Sequence, residues 1–376
     1  MQIIRSLEEL ETKIAECNDA LTHQSDDAMR RLFNEFRMDF SDELPPDPFG
    51  PAYRDFQLEL YRRFAGRPYA LQNERTEYIT ADHIRRPFPY YVQSCQTAGS
   101  HMQAIGFLLR TLDLPPGARV VEFGPGWGNT TLALALLGMQ VTAVDIEPNF
   151  CGIIRDRAAQ NQVGIEVVQS DFFWAESVAQ PYDAAIFFEC FHHCDDHLRL
   201  LRALRTAVKP DGKVYMASEP ILPGYPVPWG LRMDGEALWA IRNFGWLELG
   251  FDEGYFRAAL ARTGWDLRKH ACADPYWASV WEARRADLDG AQPPEGHLQE
   301  GHLQDGHLQD GRRPDSEPGP SLVPGVPVQE AAPAVALPGP TDREAALARE
   351  LDAVHRSTSW RTTAPLRAFK RLLTRR

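Results

Sequence analysis

The sequence predicts an α/β fold, in which helices flank a central sheet of mainly parallel strands. Two β-branched apolar runs, at residues 120–123 and 141–144, enclose a glycine loop and a helical segment at 130–137. Asn129 or Thr130 is the expected N-cap of that helix. Apolar runs and helical patterns then alternate to about residue 285. Strand, helix and strand in this order form the βαβ unit of parallel sheets.

The N-terminal 96 residues predict a helical region. The first 22 residues carry apolar side chains at alternating spacings of three and four, as in a short coiled coil: Ile3, Leu7, Leu10, Ile14, Cys17 and Leu21. Such a helix either packs on its own chain or associates with a second copy through residues 3–21. Further helices are expected at 28–40 and 53–64.

The segment that leads to the first strand of the βαβ unit combines prolines with a helical pattern. The prolines of residues 85–91 predict an extended chain, and residues 97–112 predict a helix. The buried side of this helix is expected to carry Ile105, Leu108, Leu109 and Leu112.

The glycine loop predicts a site for an adenosine-containing ligand. Gly124, Gly126 and Gly128 let the backbone turn sharply and approach a ligand, and the following helix offers free N–H groups. Asp145 ends the second strand, where a carboxylate can bind a ribose diol. Glu122 precedes the loop, and its charge favours a ligand with an ammonium group over a pyrophosphate.

This E-x-G-x-G-x-G motif resembles the first motif of class I S-adenosylmethionine-dependent methyltransferases. The resemblance covers residues 103–285 and implies a Rossmann-like fold with a central seven-stranded sheet and helices on both faces. It implies S-adenosylmethionine as cofactor, with Asp171 and Phe172 at the adenine and Glu189 beside the cofactor. The rival interpretation, a nicotinamide-dependent sugar-nucleotide enzyme, lacks the expected Tyr-x-x-x-Lys pair.

A titratable cluster follows the predicted fourth strand, residues 182–188. His192 and His193 lie where open α/β sheets bind ligands, and a histidine suits removal of a hydroxyl proton. We expect one of them to be the general base, with His193 favoured over His192, and the other to orient the base or to serve packing. Zinc ligation is an alternative reading of one set, Cys190, His192, His193, Cys194, Asp195 and His197, but its spacing fits no closed zinc site, so we expect no metal.

Beyond this cluster, the sequence predicts a helix at 198–208, a turn at 209–213 and a fifth strand at 214–217. An insertion at 219–250, rich in Trp and Pro, is expected to bind the acceptor; its candidate contacts are Glu219, Trp229, Arg232, Asp234 and Arg242. A helix at 251–262 and strands at 265–270 and 277–283 complete a domain spanning 97–285.

The C-terminal part changes in composition. Residues 286–340 contain three GHLQ repeats and then mainly Pro, Gly, Ser and Ala, which predicts a disordered linker. Residues 341–376 predict a helix and a basic amphipathic tail, and the tail is similar to an element of bacterial polysaccharide-biosynthesis enzymes. We expect residues 356–376 to contact a membrane surface or a glycosyltransferase.

Charge and composition limit the function further. The formal net charge of −12 argues against nucleic-acid binding. No apolar run is long enough for a membrane span, and the N-terminus lacks the pattern of a signal peptide, so we expect a cytoplasmic protein with reduced cysteines. The resemblance to methyltransferases, together with the insertion at 219–250 and the C-terminal tail, favours methylation of a hydroxyl on a carbohydrate or glycoconjugate. The alternatives are a small-molecule or lipid acceptor, and an inactive cofactor-binding scaffold.

Overall fold

The structure is a computed structural model, and it describes residues 1–39, 43–75 and 83–286. The helices of these residues are α1 (Leu7–His23), α2 (Asp26–Phe33), α3 (Pro51–Ala65), α4 (Cys95–Leu112), α5 (Asn129–Leu136), α6 (Pro148–Asn161), α7 (His197–Ala207), α8 (Gly235–Asn243) and α9 (Glu253–Arg262). The strands are β1 (Gln2–Ile4), β2 (Phe36–Met38), β3 (Arg119–Phe123), β4 (Gln140–Asp145), β5 (Ile165–Gln169), β6 (Tyr182–Phe188), β7 (Val208–Ala217), β8 (Ile221–Leu222), β9 (Trp229–Leu231), β10 (Leu249–Asp252), β11 (Trp265–His270) and β12 (Val280–Arg285).

The central sheet has seven strands in the order β11-β12-β7-β6-β3-β4-β5. Strand β12 runs antiparallel to both of its neighbours, and the other pairs are parallel. The chain proceeds from β3 outward to β5 and then returns to β6 on the other side of β3. The topology therefore switches between β3 and β6, which opens a crevice at the carboxyl ends of these strands. The sheet confirms the predicted Rossmann-like fold.

Alternate residues of the buried strands face two separate cores. On β3, Val120 belongs to the core that includes α4 and α5, whereas Val121 belongs to the core that includes α7 and the N-terminal region. Because side chains alternate across a strand, this division places packed layers on both faces of the sheet. The near-continuous apolar character of β3 and β6 follows from burial on both faces.

The N-terminal region and the insertion share the second of these cores. Tyr53 of α3 donates a hydrogen bond to the Trp229 carbonyl oxygen at 2.9 Å, and Trp239 of α8 donates one to Asn18 of α1 at 2.7 Å. Strands β8, β10 and β9 form a small sheet of their own. The N-terminal region and the insertion thus pack together above the crevice.

Several predicted elements at the N-terminus are wrong. Ile3 lies in β1, so the helix begins only at Leu7, after Ser6 caps it by accepting a hydrogen bond from Glu9 N. Its buried face consists of Leu10, Ile14, Cys17 and Ala20, which pack within the chain, while Leu7 and Leu21 are exposed. Self-association through residues 3–21 stays a prediction.

The helix expected over 28–40 ends at Phe33, and Phe36–Met38 instead pairs with β1 in parallel. Residues 85–91 are not extended: they form turns with a cis Phe88–Pro89 bond, and a 3₁₀ helix begins at Tyr90.

Four further expectations in the domain need correction. Gly128, not Asn129 or Thr130, is the N-cap of α5, with φ of 71° and no side-chain cap. The predicted turn at 209–213 is an irregularity within the continuous strand β7. Phe251 belongs to β10, so the next helix begins at Glu253, and the last strand begins at Val280 because residues 276–278 form a 3₁₀ helix. Residues 287–376, with most of the expected linker and all of the basic tail, lie outside the described residues.

Candidate active site

A cavity of about 1590 Å³ lies at the carboxyl ends of β3, β4, β6 and β7. Single-ligand pockets have volumes of about 300–1,000 Å³, so this cavity has room for two ligands side by side. Most of the predicted site residues line it: Glu122, Gly124, Gly126, Asp145, Asp171, Phe172, Glu189, His192, His193, Glu219, Arg232 and Asp234. Gly128, Trp229 and Arg242 are not among the lining residues.

The glycine loop places backbone, and little else, against one end of the cavity. Gly124 and Gly126 have φ angles of 59° and 52°, which favour glycine. A Cβ on Gly126 would meet no atom within 4 Å, so this position is open toward the cavity. A Cβ on Gly128 would lie 2.7 Å from Ile154 Cγ1, so Gly128 serves the packing of α5 on α6.

Two buried carboxyl groups, Glu122 and Asp145, flank the loop. Asp145 accepts hydrogen bonds from Gly126 N at 3.0 Å and Glu147 N at 2.8 Å, and Glu122 accepts one from the Thr131 hydroxyl. Burial, and then the charge of a neighbouring carboxylate, raises the pKa of each to about 7. Among the described residues, neither acid pairs with a cationic side chain. This end of the cavity therefore suits a cationic ligand with hydroxyl groups.

Asp171 and Phe172 lie where β5 leads into a 3₁₀ helix. Asp171 Oδ1 caps that helix by accepting a hydrogen bond from Phe173 N at 2.8 Å. The Phe172 ring packs edge-on against Phe123 and Phe187, and its partly exposed face lines the cavity. The arrangement offers an apolar ring and a carboxylate to a planar base.

Two residues beside the cavity have left-handed backbone conformations that side chains rarely adopt. Glu189, after β6, has φ of 53°, and Ser218, after β7, has φ of 58°. Burial, and then the nearby charge of Glu236, raises the pKa of Glu189 to about 7. Conformations of this kind are concentrated at functional sites, so the ends of β6 and β7 mark the centre of this one.

His192 is held between two carboxylates. Its Nδ1 lies 2.7 Å from Glu219 Oε2, and its Nε2 lies 3.5 Å from Glu248 Oε2. Burial opposes the charged ring, but the attraction and hydrogen bonds of the two glutamates raise the pKa of His192 to about 10. His192 is therefore an imidazolium at neutral pH and has no lone pair with which to accept a proton.

His193 has the opposite character. Its Nδ1 lies 2.8 Å from the Leu247 carbonyl oxygen, so Nδ1 carries the proton and donates it there. Burial, and then the charge of His192, lowers the pKa of His193 to about 4. The ring is neutral at pH 7 with its lone pair on Nε2, for which no described residue is a hydrogen-bond partner.

Glu219, which follows β7, holds the His192–His193 segment in place. Its carboxylate accepts backbone hydrogen bonds from Cys190 N and Phe191 N at 2.9 Å and from His192 N at 3.1 Å, besides the one from the His192 ring. Burial disfavours its charge, yet the charge of His192 and these hydrogen bonds lower the pKa of Glu219. Its oxygens are thus engaged within the chain, and Glu219 is a positioning residue, which differs from the acceptor contact expected from sequence.

The other insertion residues divide into two groups. Arg232 lines the cavity and bonds Asp234 at 2.9 and 3.0 Å and Glu248 at 3.3 Å. Trp229 is buried and donates its indole hydrogen bond to the Pro48 carbonyl oxygen, and Arg242 bonds the Phe64 carbonyl oxygen and pairs with Glu11. Both pack the insertion onto the N-terminal region and lie outside the cavity lining, so the geometry does not favour the acceptor contact expected of them.

The side chains considered for zinc are dispersed. The Cys190 thiol donates to the Phe123 carbonyl oxygen at 3.0 Å, and His197 Nε2 lies 2.7 Å from the Tyr255 hydroxyl. Asp195 pairs with Arg54, and Asp196 caps α7. The six side chains of the zinc alternative therefore do not converge on one point as a set.

Two acids of the site were missed. Glu248 interrupts the apolar run that leads into β10, a signal that the sequence offered. Glu74 lies in a 3₁₀ helix of the N-terminal region, with Oε2 3.5 Å from His193 Nδ1, and burial raises its pKa well above the usual range. Nothing in the sequence around Glu74 points to this location.

Parts of the chain are similar to known proteins. Residues 121–216 match the family model described as a methyltransferase domain. The ubiquinone biosynthesis O-methyltransferase of Xanthomonas campestris pv. campestris is 34% identical over 104 residues, which are 27% of this chain and 44% of that protein. Its counterpart from Xanthomonas oryzae pv. oryzae is 31% identical over 115 residues, 30% of this chain and 48% of that protein. The chain spans less than half the length of these relatives.

Among solved structures, this chain is similar to the 1,6-didemethyltoxoflavin-N1-methyltransferase of Burkholderia thailandensis, a structure with bound S-adenosylhomocysteine. The identity is 17%, the TM-score is 0.40, and the match covers 66% of this chain and 94% of that one.

Within the described residues, none of the helices is long and apolar enough to cross a membrane.

Proposed function

We propose that this chain, which contains a class I S-adenosylmethionine-dependent methyltransferase domain, transfers a methyl group to a hydroxyl oxygen of a carbohydrate or glycoconjugate. S-adenosylmethionine is the cofactor, and it supplies an electrophilic methyl group on a sulfonium. The residues at the glycine loop fit it: Glu122 would hold the ammonium end, Asp145 the ribose hydroxyls, and Asp171 with Phe172 the adenine. The proposed acceptor occupies the rest of the cavity.

The observation that carries the choice of a hydroxyl is the state of His193. A hydroxyl must lose its proton as it attacks, and a neutral imidazole with a free Nε2 lone pair can accept that proton. The Leu247 carbonyl oxygen fixes the tautomer, and the His192–Glu219 pair fixes the backbone on which His193 is mounted. We assign His193 as the general base and His192 as its orienting neighbour.

The choice of a carbohydrate rests on the lining supplied by the insertion. Trp239, Arg232 and Glu236 border the cavity on the acceptor side, and half of the Glu236 side chain is exposed. Indole faces and fixed polar groups are the chemistry that holds sugar rings, whose surfaces are part apolar and part hydroxyl. The lining has many more acids than bases, which argues against a phosphorylated acceptor.

A second acceptor class is favoured by the names of the relatives. A phenolic hydroxyl on a small or lipid-like molecule would also use a neutral histidine base, and Phe244 and Trp246 provide an apolar part of the lining.

An inactive scaffold is the third hypothesis, and it predicts cofactor binding without methyl transfer. The cytoplasmic location and a surface contact of residues 356–376 also stay predictions.

Radiolabelled methyl transfer from S-adenosylmethionine into fractions of the native cell tests the proposal. We expect label in the carbohydrate fraction, in a form that resists mild alkali, because methyl ethers resist the base that cleaves methyl esters. Label in the lipid or small-molecule fraction would contradict the carbohydrate assignment, and label nowhere would indicate the scaffold. His193→Gln should abolish incorporation, whereas His270→Gln, which alters a histidine paired with Glu282 outside the cavity lining, should not.

A further inference from the structure

Three side chains from two separate segments converge at the acceptor side of the cavity. His192 and His193 come from the 3₁₀ helix after β6, and Glu248 comes from the end of the insertion, just before β10. One ligand atom of each lies within 4.8 Å of those of the other two. His192 Nε2 and Glu248 Oε2, in particular, are 3.5 Å apart, which is long for a hydrogen bond between charged groups.

The Nδ1 atoms of His192 and His193 have the hydrogen-bond partners that are typical of histidines that bind a metal through Nε2. Nδ1 of His192 contacts the Glu219 carboxylate at 2.7 Å, and Nδ1 of His193 contacts the Leu247 carbonyl oxygen at 2.8 Å. A histidine that binds a metal through one nitrogen almost always donates the other N–H to a carboxylate or a backbone carbonyl. Both rings therefore present Nε2 as the available ligand atom.

We propose that His192 Nε2, His193 Nε2 and a Glu248 oxygen form a binding site for a divalent transition-metal ion, with zinc as the best match. Two imidazoles and one carboxylate are a ligand set of zinc sites that keep an open position. With bonds of about 2.0–2.1 Å, tetrahedral ligand atoms lie roughly 3.3 Å apart, close to the His192–Glu248 distance. Ligand atoms that lie as much as 4.8 Å apart must approach one another by up to about 1.5 Å, which side-chain rotation can supply.

The surrounding charge supports a cation at this point. Glu219 and Glu248 contribute two buried carboxylates. Arg232 contacts the same Glu248 oxygen, Oε2, at 3.3 Å, and Asp234 in turn pairs with Arg232. The cation and a proton on His192 Nε2 compete for the same position, so binding releases that proton.

The site does not depend on the identity of the acceptor. It bears on the proposed function in one respect: His193 Nε2 cannot be a metal ligand and a proton acceptor at once. A bound cation would supply Lewis-acid activation of an acceptor hydroxyl in place of proton removal by His193.

Calorimetric titration of the chelator-treated full chain with zinc chloride tests this site. The GHLQ repeats carry three histidines that can bind the same ion, so every protein in the series carries His297→Gln, His302→Gln and His307→Gln. We expect one zinc per chain in this background. His193→Gln and Glu248→Gln should each weaken binding at least 10-fold, and Glu219→Gln should weaken it about 10–100-fold through the lost orientation of His192.

His270→Gln is the matched control: His270 pairs with Glu282 at 3.0 Å and is not among the residues that line the cavity, so this variant should bind zinc like the parent protein. Zinc binding that is equally tight in the His193 and Glu248 variants would overturn the proposal. Loading cobalt in place of zinc into the protein with its three site residues intact gives a second measurement. This measurement does not depend on whether a site variant folds. A tetrahedral or five-coordinate spectrum without a thiolate band supports the site, and a thiolate band overturns it.

The same preparations separate this inference from the proposed function. Zinc binding without methyl transfer from S-adenosylmethionine would leave the metal site intact and remove the function. Methyl transfer that is undiminished in the chelator-treated protein, together with absent zinc binding, would remove the metal site and leave His193 as the base.

Discussion

Replacing Glu219 by Gln should remove the nearer of the two carboxylates that pair with His192, leaving Glu248 at 3.5 Å. The Glu219 carboxylate accepts the His192 ring hydrogen bond at 2.7 Å and three backbone hydrogen bonds of 2.9–3.1 Å. An amide has one acceptor oxygen in place of two, and its NH₂ group would face backbone donors. In the variant, either the buried His192 ring stays charged without the Glu219 carboxylate, or it becomes neutral and leaves N–H groups unpaired. In the wild type the ring and Glu219 form a hydrogen-bonded ion pair.

The magnitude follows from the pKa of His192. A rise from the ordinary 6.5 to about 10 corresponds to about 5 kcal/mol of preferential stabilisation of the charged ring. Removing one partner of a buried ion pair typically costs about 3–5 kcal/mol. Because the folded pKa is raised, this stabilisation is complete below pH 6.5 and is lost as the pH rises toward 10.

Urea unfolding in the presence of a chelator measures the effect. We expect Glu219→Gln to lower the free energy of unfolding by about 3–5 kcal/mol near pH 6, and by clearly less near pH 10. Glu176→Gln removes an exposed partner of Arg199 and should leave the stability nearly unchanged at both pH values. A Glu219→Gln loss as small as that of the control, or one that grows toward high pH, would refute the reasoning.

Three further predictions concern the cofactor end and the C-terminal part. Gly124→Ala should lower the melting temperature more than Gly126→Ala, since both have positive φ but only a Cβ at Gly124 would lie 2.9 Å from another side chain; equal losses would contradict this. Because the folded pKa values of Glu122 and Asp145 are raised to about 7, the ligand-free protein binds extra protons as the pH falls from about 8 to about 6, and its melting temperature should rise. A fall would count against the buried, unpaired state of these acids. Deleting residues 287–376 should leave the affinity for S-adenosylmethionine unchanged in calorimetry, and a weaker affinity would assign that part a role in the site.

The central sheet could be predicted because its determinants are local. Buried parallel strands are short apolar runs, and the glycine loop is read directly from its spacing between β3 and α5. Elements that exist through distant pairing were missed: Phe36–Met38 is a strand because β1 pairs with it, and three residues alone carry no period. The turn signals of residues 209–213 were misleading because β6 pairs with both ends of β7 around the irregularity.

The candidate site was predictable in its residue types but not in its partners. The histidine pair and the acids at strand ends stand out in sequence, since polar groups follow apolar strands there. His192 is charged and His193 is neutral because of Glu219, which follows β7, and Glu248, which precedes β10. Both glutamates are distant in sequence from the histidine pair. Glu74 reaches the site only through packing of the N-terminal region, which no local pattern encodes.

The measurement that tests the central claim most directly is calorimetric titration of S-adenosylmethionine into the full chain and into Asp145→Ala. The glycine loop and its two buried acids should bind one cofactor per chain. Loss of the Asp145 carboxylate should weaken binding by about 10-fold or more, since hydrogen bonds to a charged group contribute about 1.5–3 kcal/mol. No binding by the wild type, or equal binding by the variant, would contradict the assignment of this cavity end to the cofactor.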